Sequence, residues 1–339
     1  MERSGQLRPG VRDARRRPPG GLRRRSRSLA QAWDKLRWGA RVVGPGPALA
    51  GGARLVLLRL GRRERARVRL RSGATIGFDV ASQLPPALVM FRTLIDPEFR
   101  FLSEVADPDW VVVDVGAAIG QFSVFAARLP VGEVHAFEPS SGNVSSLRGN
   151  LEDNRLGDRV HVHQVALSDR VGEQSFATQG NSYLSRLDRP DPEGQGQASE
   201  LVAVRTLTDE VERLGLSRVS VLKVNVAGYE PEVLGGATAL LARGAASILV
   251  LLIGERSIPW YRRCRAWGYR FFFYSPDDRV LHEVEDLTLS ALERPPWPAR
   301  HVIAIHADSL AGLDLAAAGI SLRTSDHDGT CGAQRASAR

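Results

Sequence analysis

An α/β fold with a mostly parallel sheet, covered by helices on both faces, is predicted by three features. The segment WVVVDVG (residues 110–116) is a continuous apolar run, as expected of a strand buried on both faces. Similar runs recur in EVHAFEP, RVHVHQVAL, SVLKVNV and SILVLLIG. Helical segments separate them, and strands alternating with helices favour parallel neighbours.

Taken in order, the chain opens with a basic tail. Residues 1–28 hold ten arginines against Glu2 and Asp13, a net +8 that equals the charge of the whole chain, so the rest sums to zero. RRRPPGG and RRRSRS lack the apolar content to fold alone, which predicts disorder over 1–28. A solvated extension is favoured over contact with nucleic acid or an acidic membrane. No apolar stretch with a small-residue cleavage site follows, so the expected location is cytoplasmic rather than exported.

The next stretch, LAQAWDKLRWGARVV, places Leu29, Trp33, Leu36, Ala40 and Val43 on one helical face. That face is expected to pack on the body or a partner, ahead of attachment to a membrane surface. VGPGPALAGG, from residue 43, reads as a linker, so 29–64 forms an amphipathic helix plus linker. ARVRLR and TIGFDV flank Ser72-Gly73 as a β-hairpin that opens a main domain over 65–307.

Within the domain, QFSVFAARL and SSGNVSSLRGNLEDN are helices, the second with serines to cap its start. A turn-rich insertion over 171–205 is expected to be partly paired strand, with DRPDPEGQGQ an exposed loop. TLTDEVERLG, PEVLGGATALLAR and WYRRCRAWG are further helices; YRFFFYS and RVLHEVE form a hairpin, and HVIAIHA closes the regular structure. Residues 308–339 are expected to be a flexible tail.

Composition removes several classes of protein. With 43% hydrophobic and 25% charged residues in 339, the chain is globular. No run approaches the roughly 18 apolar residues of a transmembrane helix. Cys264 and Cys331 have neither metal-site nor CxxC spacing. Lysine is rare: Lys35 and Lys223 stand among 46 basic residues.

The first chemical pattern is VVVDVGAAIGQFS, with Asp114 at a strand end and Gly116 and Gly120 in the turn opening a helix. Glycines permit close backbone approach to a ligand, and free N–H groups at a helix start suit polar or anionic groups. Glu138 ends the next strand, where a carboxylate can accept ribose hydroxyls. A nucleoside cofactor fits. The spacing G-x-x-x-G, preceded by an acid, departs from the dinucleotide fingerprint G-x-G-x-x-G. Asp114 would repel a pyrophosphate and suit an ammonium, which favours S-adenosylmethionine over NAD.

DVGAAIGQFS, AFEPS, ALSD and LKVNVAGYEPEVLGGA, in this order, resemble the FkbM-type methyltransferases, a class I S-adenosylmethionine-dependent family. The resemblance runs from about residue 65 to 307. It implies a Rossmann-like seven-stranded sheet with one antiparallel strand, and methyl transfer usually to a hydroxyl of a small natural product or sugar. It also implies that Asp114, Gly116, Ala118, Gly120 and Glu138 belong to the cofactor site, with Ala166 and Asp169 near the adenine.

The second pattern lies at the end of SVLKVNV, where sheets of this kind place their substrate. Lys223 and Asn225 share a strand face, and Tyr229 and Glu230 enter the following helix. A lysine within an apolar strand, in a chain that otherwise writes arginine, suggests a need for a compact ammonium. The family core usually reads Lys, an apolar residue, Asp, Val, Glu, Gly. Here Asn225 and Ala227 replace both acids, and Leu252 stands where relatives often carry glutamate. Without those carboxylates no metal is expected, and a hydroxyl acceptor lacks its usual base.

Lys223, Asn225 and Glu230 are the candidate catalytic residues. Glu230, Tyr229 or one of His135, His161 and His163 could replace the base, although the histidines read as ordinary strand residues. The predicted function is methyl transfer to a hydroxyl of a small natural product or glycan. A cofactor-binding pseudoenzyme or partner subunit is the alternative, followed by a nucleic-acid methyltransferase. The neutral body and the lack of an aromatic-lined basic stripe weigh against specific nucleic acid partners.

Overall fold

The computed structural model describes residues 33, 36–61, 63–177, 186–187, 199–292 and 300–324. The Arg-rich segment 1–28, the DRPDPEGQGQ stretch and residues 325–339 lie outside them. Helix α1 (36–43) leads into α2 (Pro45–Leu60), the hairpin β1 (Arg65–Arg69) and β2 (Thr75–Asp79), then α3 (Pro86–Phe91) and α4 (Pro97–Val105). The central alternation is β3 (Val111–Val115), α5 (Gln121–Ala126), β4 (Glu133–Phe137), α6 (Ser141–Asp153) and β5 (Val160–His163). An inserted sheet follows, from β6 (Ala166–Leu167), β7 (Gly172–Ala177), β8 (Arg186–Leu187) and β9 (Ser199–Arg205). The chain re-enters the main sheet after α7 (Leu207–Arg213) with β10 (Val219–Val224), α8 (Glu230–Gly236), α9 (Thr238–Ala242) and β11 (Ala246–Leu252). It ends with α10 (Ile258–Ala266), β12 (Tyr269–Ser275), β13 (Val280–Glu283), α11 (Leu289–Leu292), β14 (His301–His306), α12 (Ala307–Gly312) and β15 (Ser321–Arg323).

The main sheet has the order β5-β4-β3-β10-β11-β14-β12-β13-β15. From β5 to β12 these are seven strands, and only β14 runs against its neighbours, being antiparallel to both β11 and β12. This is the predicted mostly parallel, Rossmann-like sheet. The β12–β13 hairpin and β15 extend it to nine. Apolar side chains of the strands alternate between two cores: Val112, Val134, Val221 and Val250 on one face, Val113, Leu222, Leu249 and Ala304 on the other. Because the chain runs outward from β3 to β5 and returns beside β3 as β10, the carboxyl ends of β3 and β10 border the crevice at the change of strand order.

Three features differ from expectation. The Gly/Pro stretch from residue 43 is not a linker: its prolines fall in the first turn of α2, where an N–H has no helical partner to lose, and Ala and Leu carry the helix onward. On the α1 segment, Trp33 is 60% exposed, whereas Trp38 packs inward and donates Nε1–H to the Ile95 carbonyl at 2.8 Å. The stretch after residue 307 continues in regular structure, since α12 packs beside β14 and β15 pairs in parallel with β13.

Candidate active site

Strands β3 and β10 place Asp114 and Lys223 at paired positions. Lys223 Nζ lies 2.6 Å from Asp114 Oδ1 and donates also to the Gly116 carbonyl at 3.2 Å. Ser123 Oγ donates to Asp114 Oδ2 at 2.7 Å, and the carboxylate is fully buried. The ammonium also stands 5.6 Å from the centre of the Phe122 ring. Both charged groups are therefore engaged within the protein, and together they tie β10 to the loop after β3.

That loop has left-handed residues at Gly116 (φ 75), Ala118 (φ 48) and Gly120 (φ 87). A Cβ at Gly116 would lie 2.2 Å from the Asn225 carbonyl oxygen, and one at Gly120 would lie 2.3 Å from Leu147 Cδ1. The glycines thus let the loop close on β10 and α6 as well as turn. Ala118 donates its N–H to Glu138 Oε2 at 2.9 Å, while Ser140 N–H and Asn143 Nδ2–H reach Oε1, each at 3.1 Å. Burial raises the Glu138 pKa, and these three donors oppose the rise. An ionised carboxylate offers about four acceptor positions. Among the described residues three are taken, which leaves one on Oε2.

Glu138 lines a cavity of about 690 Å³ with Gly116, Ala117, Ala118, Val165 and Ala166; Lys223, Asn225, Ala227, Tyr229 and Leu252 lie farther along its wall. Gly120, Asp169 and Glu230 are not part of the wall. Asp169 accepts a hydrogen bond from Ser168 Oγ at 3.2 Å. Buried Glu230 accepts from the N–H groups of Val226 (2.9 Å) and Gly228 (3.2 Å), holding the turn that contains left-handed Ala227 and Gly228. His135, His161 and His163 stack along the β4–β5 edge and are likewise absent from the wall. Burial lowers the pKa of His135, and that of His163 to about 4.

Sequence reasoning missed three residues that the fold brings to the cavity region. Asn225 Nδ2 lies 3.2 Å from His301 Nε2, and His301 Nδ1 is hydrogen-bonded to Glu98 Oε1. His301 and Glu98 are buried, and donor atoms of Asp96, Glu98 and His301 all lie within 4.8 Å of one another. An Asn225 amide hydrogen directed at Nε2 corresponds to the tautomer with the imidazole proton on Nδ1, from which it is donated in a hydrogen bond to Glu98. This is the tautomer of a carboxylate–imidazole dyad. His301 also sits directly across from Leu252 in the β11–β14 pairing. A basic side chain and a buried acid therefore stand beside the strand position where a glutamate was expected and leucine is found. One weak signal is present in the sequence: Glu98 is an acid among the buried apolar positions Phe99, Phe101 and Leu102 of α4.

The residues around Glu138 suit a nucleoside cofactor: a carboxylate with a vacant acceptor position, beside backbone of the Gly116–Ala118 loop and the apolar side chains of Val165 and Ala166.

Comparison with known proteins identifies the family. The family model described as the methyltransferase FkbM domain matches residues 114–286, just over half the chain. The chain is 28% identical over 199 residues to the 31-O-demethyl-FK506 methyltransferase FkbM of Streptomyces tacrolimicus, covering 50% of this chain and 74% of that one. It is 30% identical over 146 residues to Methyltransferase 1 of Beauveria bassiana, covering 38% and 58%. It is also 30% identical over 169 residues to the AMB antimetabolite synthetase AmbE of Pseudomonas aeruginosa, covering 39% of this chain but only 8% of that synthetase. Among solved structures, an rRNA methylase from Streptococcus thermophilus aligns with a TM-score of 0.37 at 12% identity, covering 62% of this chain and 93% of its own. The chain belongs to the FkbM methyltransferase family, whose methyl donor is S-adenosylmethionine.

Proposed function

We propose that this chain methylates a hydroxyl of a small natural product or glycan, and that the Asn225–His301–Glu98 series receives the hydroxyl proton. The observation that carries the reading is the presence, at one cavity, of Glu138 with a vacant acceptor position and of a buried imidazole backed by a carboxylate. Glu138 would hold the cofactor ribose through its open Oε2 position, with Ala166 and Val165 against the adenine. Asp114 would act through Lys223 and Ser123, fixing the loop of Gly116, Ala118 and Gly120 rather than meeting the cofactor directly. Asp169 and Glu230 would shape neighbouring turns. S-adenosylmethionine supplies an activated methyl group on a sulfonium when bound.

In this reading the acceptor hydroxyl displaces the Asn225 amide from His301 Nε2. Its proton moves to Nε2, and the resulting imidazolium keeps its Nδ1–H on Glu98. Asn225, freed from the imidazole, can donate to the acceptor oxygen. A positioned base of this kind contributes about 10²- to 10⁴-fold to rate. The named activity of the Streptomyces relative, on a 31-O-demethyl compound, supports oxygen as the methylated atom. The second reading, a cofactor-binding partner subunit, is favoured by the engagement of Lys223 with Asp114 and by Asn225 and Ala227 in place of acids.

Calorimetry with S-adenosylhomocysteine tests the first half. The wild-type chain should bind, and Glu138→Gln should weaken binding by roughly 10- to 100-fold, the worth of a hydrogen bond to a charged group. Mass spectrometry after incubation with S-adenosylmethionine and hydroxylated acceptors, 31-O-demethyl-FK506 among them, tests the second. Failure to bind the homocysteine product removes the proposal, whereas binding without a methylated product across the acceptors favours the partner-subunit reading.

A further inference from the structure

We propose that α2 docks the protein on an anionic membrane surface. The helix packs on α3 through its small side: Ala48, Gly51 and Leu55 are buried, and a Cβ on Gly51 would lie 1.9 Å from the Met90 carbonyl oxygen. Its other side carries Leu49 and Leu60, 77% and 78% exposed, with Val56 and Leu57 also exposed. At the helical rotation of about 100° per residue, Leu49, Val56 and Leu60 fall within an arc of about 40°, with Leu57 beside it. Four large aliphatic side chains thus form a stripe with no protein cover among the described residues.

Charge selects the occupant. Up to residue 63 the sequence has seventeen basic and three acidic residues, a net +14, so the remainder carries −6 in a chain of +8. The helix contains no acid; Arg59 is exposed in its last turn, while Arg54 donates to the Val89 carbonyl at 3.1 Å on the packed side. An apolar stripe in a strongly cationic segment suits the boundary of an anionic bilayer, where aliphatic side chains enter the acyl region and arginines meet headgroup phosphates. A second copy of the chain would bury the same stripe but bring two +14 segments together. Single-stranded nucleic acid would call for aromatic stacking platforms, whereas this stripe is aliphatic. Residues 325–339 (SDHDGTCGAQRASAR) contain no aliphatic run that could fill it.

The test is co-sedimentation of the full chain with vesicles of mixed phosphatidylcholine and phosphatidylglycerol, and with vesicles of phosphatidylcholine alone. Binding should be at least about tenfold stronger to the anionic vesicles and should weaken as salt is raised. The triple variant Leu49→Ser, Val56→Ser, Leu60→Ser should lose about tenfold of that partitioning, with its S-adenosylhomocysteine affinity and unfolding midpoint unchanged. Equal, weak binding to both vesicles overturns the proposal. So does undiminished binding by the triple variant, which would assign the attraction to the arginines alone. A concentration-dependent dimer that the triple variant abolishes also overturns it, by showing that the stripe covers a second copy.

Discussion

Lys223, one of two lysines in the chain, ends 2.6 Å from the buried carboxylate of Asp114. This pair gives an ammonium inside the sheet its counter-charge. Lys223→Met would leave Asp114 buried with Ser123 as its remaining polar partner, a loss of about 3–5 kcal/mol. Adding Asp114→Asn should recover part of that loss, because the stranded charge is gone. Urea unfolding of the two variants reads both effects. A loss below about 1 kcal/mol for the single variant would show the pair to be dispensable.

Glu98 and His301 are separated by 203 residues in sequence and joined by a hydrogen bond. Burial raises the pKa of Glu98, while the adjoining imidazole opposes that rise. Glu98→Gln can still accept the Nδ1 proton but cannot offset a charge on the ring. Turnover of a methylated acceptor should therefore fall by about 10²-fold or more in Glu98→Gln and His301→Gln. S-adenosylhomocysteine binding should be unaffected in both. Equal turnover in wild type and Glu98→Gln would remove the dyad from proton handling.

His135 and His163 give the fold a pH dependence. Both are held neutral by burial, with the pKa of His163 lowered to about 4. An unfolded imidazole titrates near 6.5, so below that pH the unfolded chain binds protons that the folded chain refuses. The contribution of His163 is complete above pH ~6.5 and is lost progressively as pH falls toward about 4, and that of His135 is lost in the same direction. Urea midpoints measured across this interval should decline with acid, and His163→Gln should flatten the decline. An unchanged slope in the variant would assign the acid sensitivity to other groups.

The residues expected to hold the cofactor are close in space because they are local in sequence. Asp114, Gly116 and Ala118 lie in one strand-to-helix loop and Glu138 at the next strand end, so a short stretch of chain fixes their neighbourhood. Even there, tertiary contacts refined the roles: Gly116 is needed against the Asn225 carbonyl, and Asp114 faces Lys223. The stretch after residue 43 departs from expectation for the opposite reason. Its prolines and glycines suggest a linker by composition, but prolines in a first turn cost no helical hydrogen bond, and Gly51 lets two helices approach.

By itself, then, the sequence determined the alternating strands and helices and the closeness of Glu138 to the Gly116–Gly120 loop, because hydrophobic periodicity and turn chemistry act over a few residues. Only the tertiary structure decided what stands beside Asn225 and Leu252, where acids were expected. β14 enters the sheet antiparallel between β11 and β12, which sets His301 against Leu252, and α4 supplies Glu98 behind it. Such a meeting depends on strand order and helix packing across the whole domain, and no local spacing encodes it.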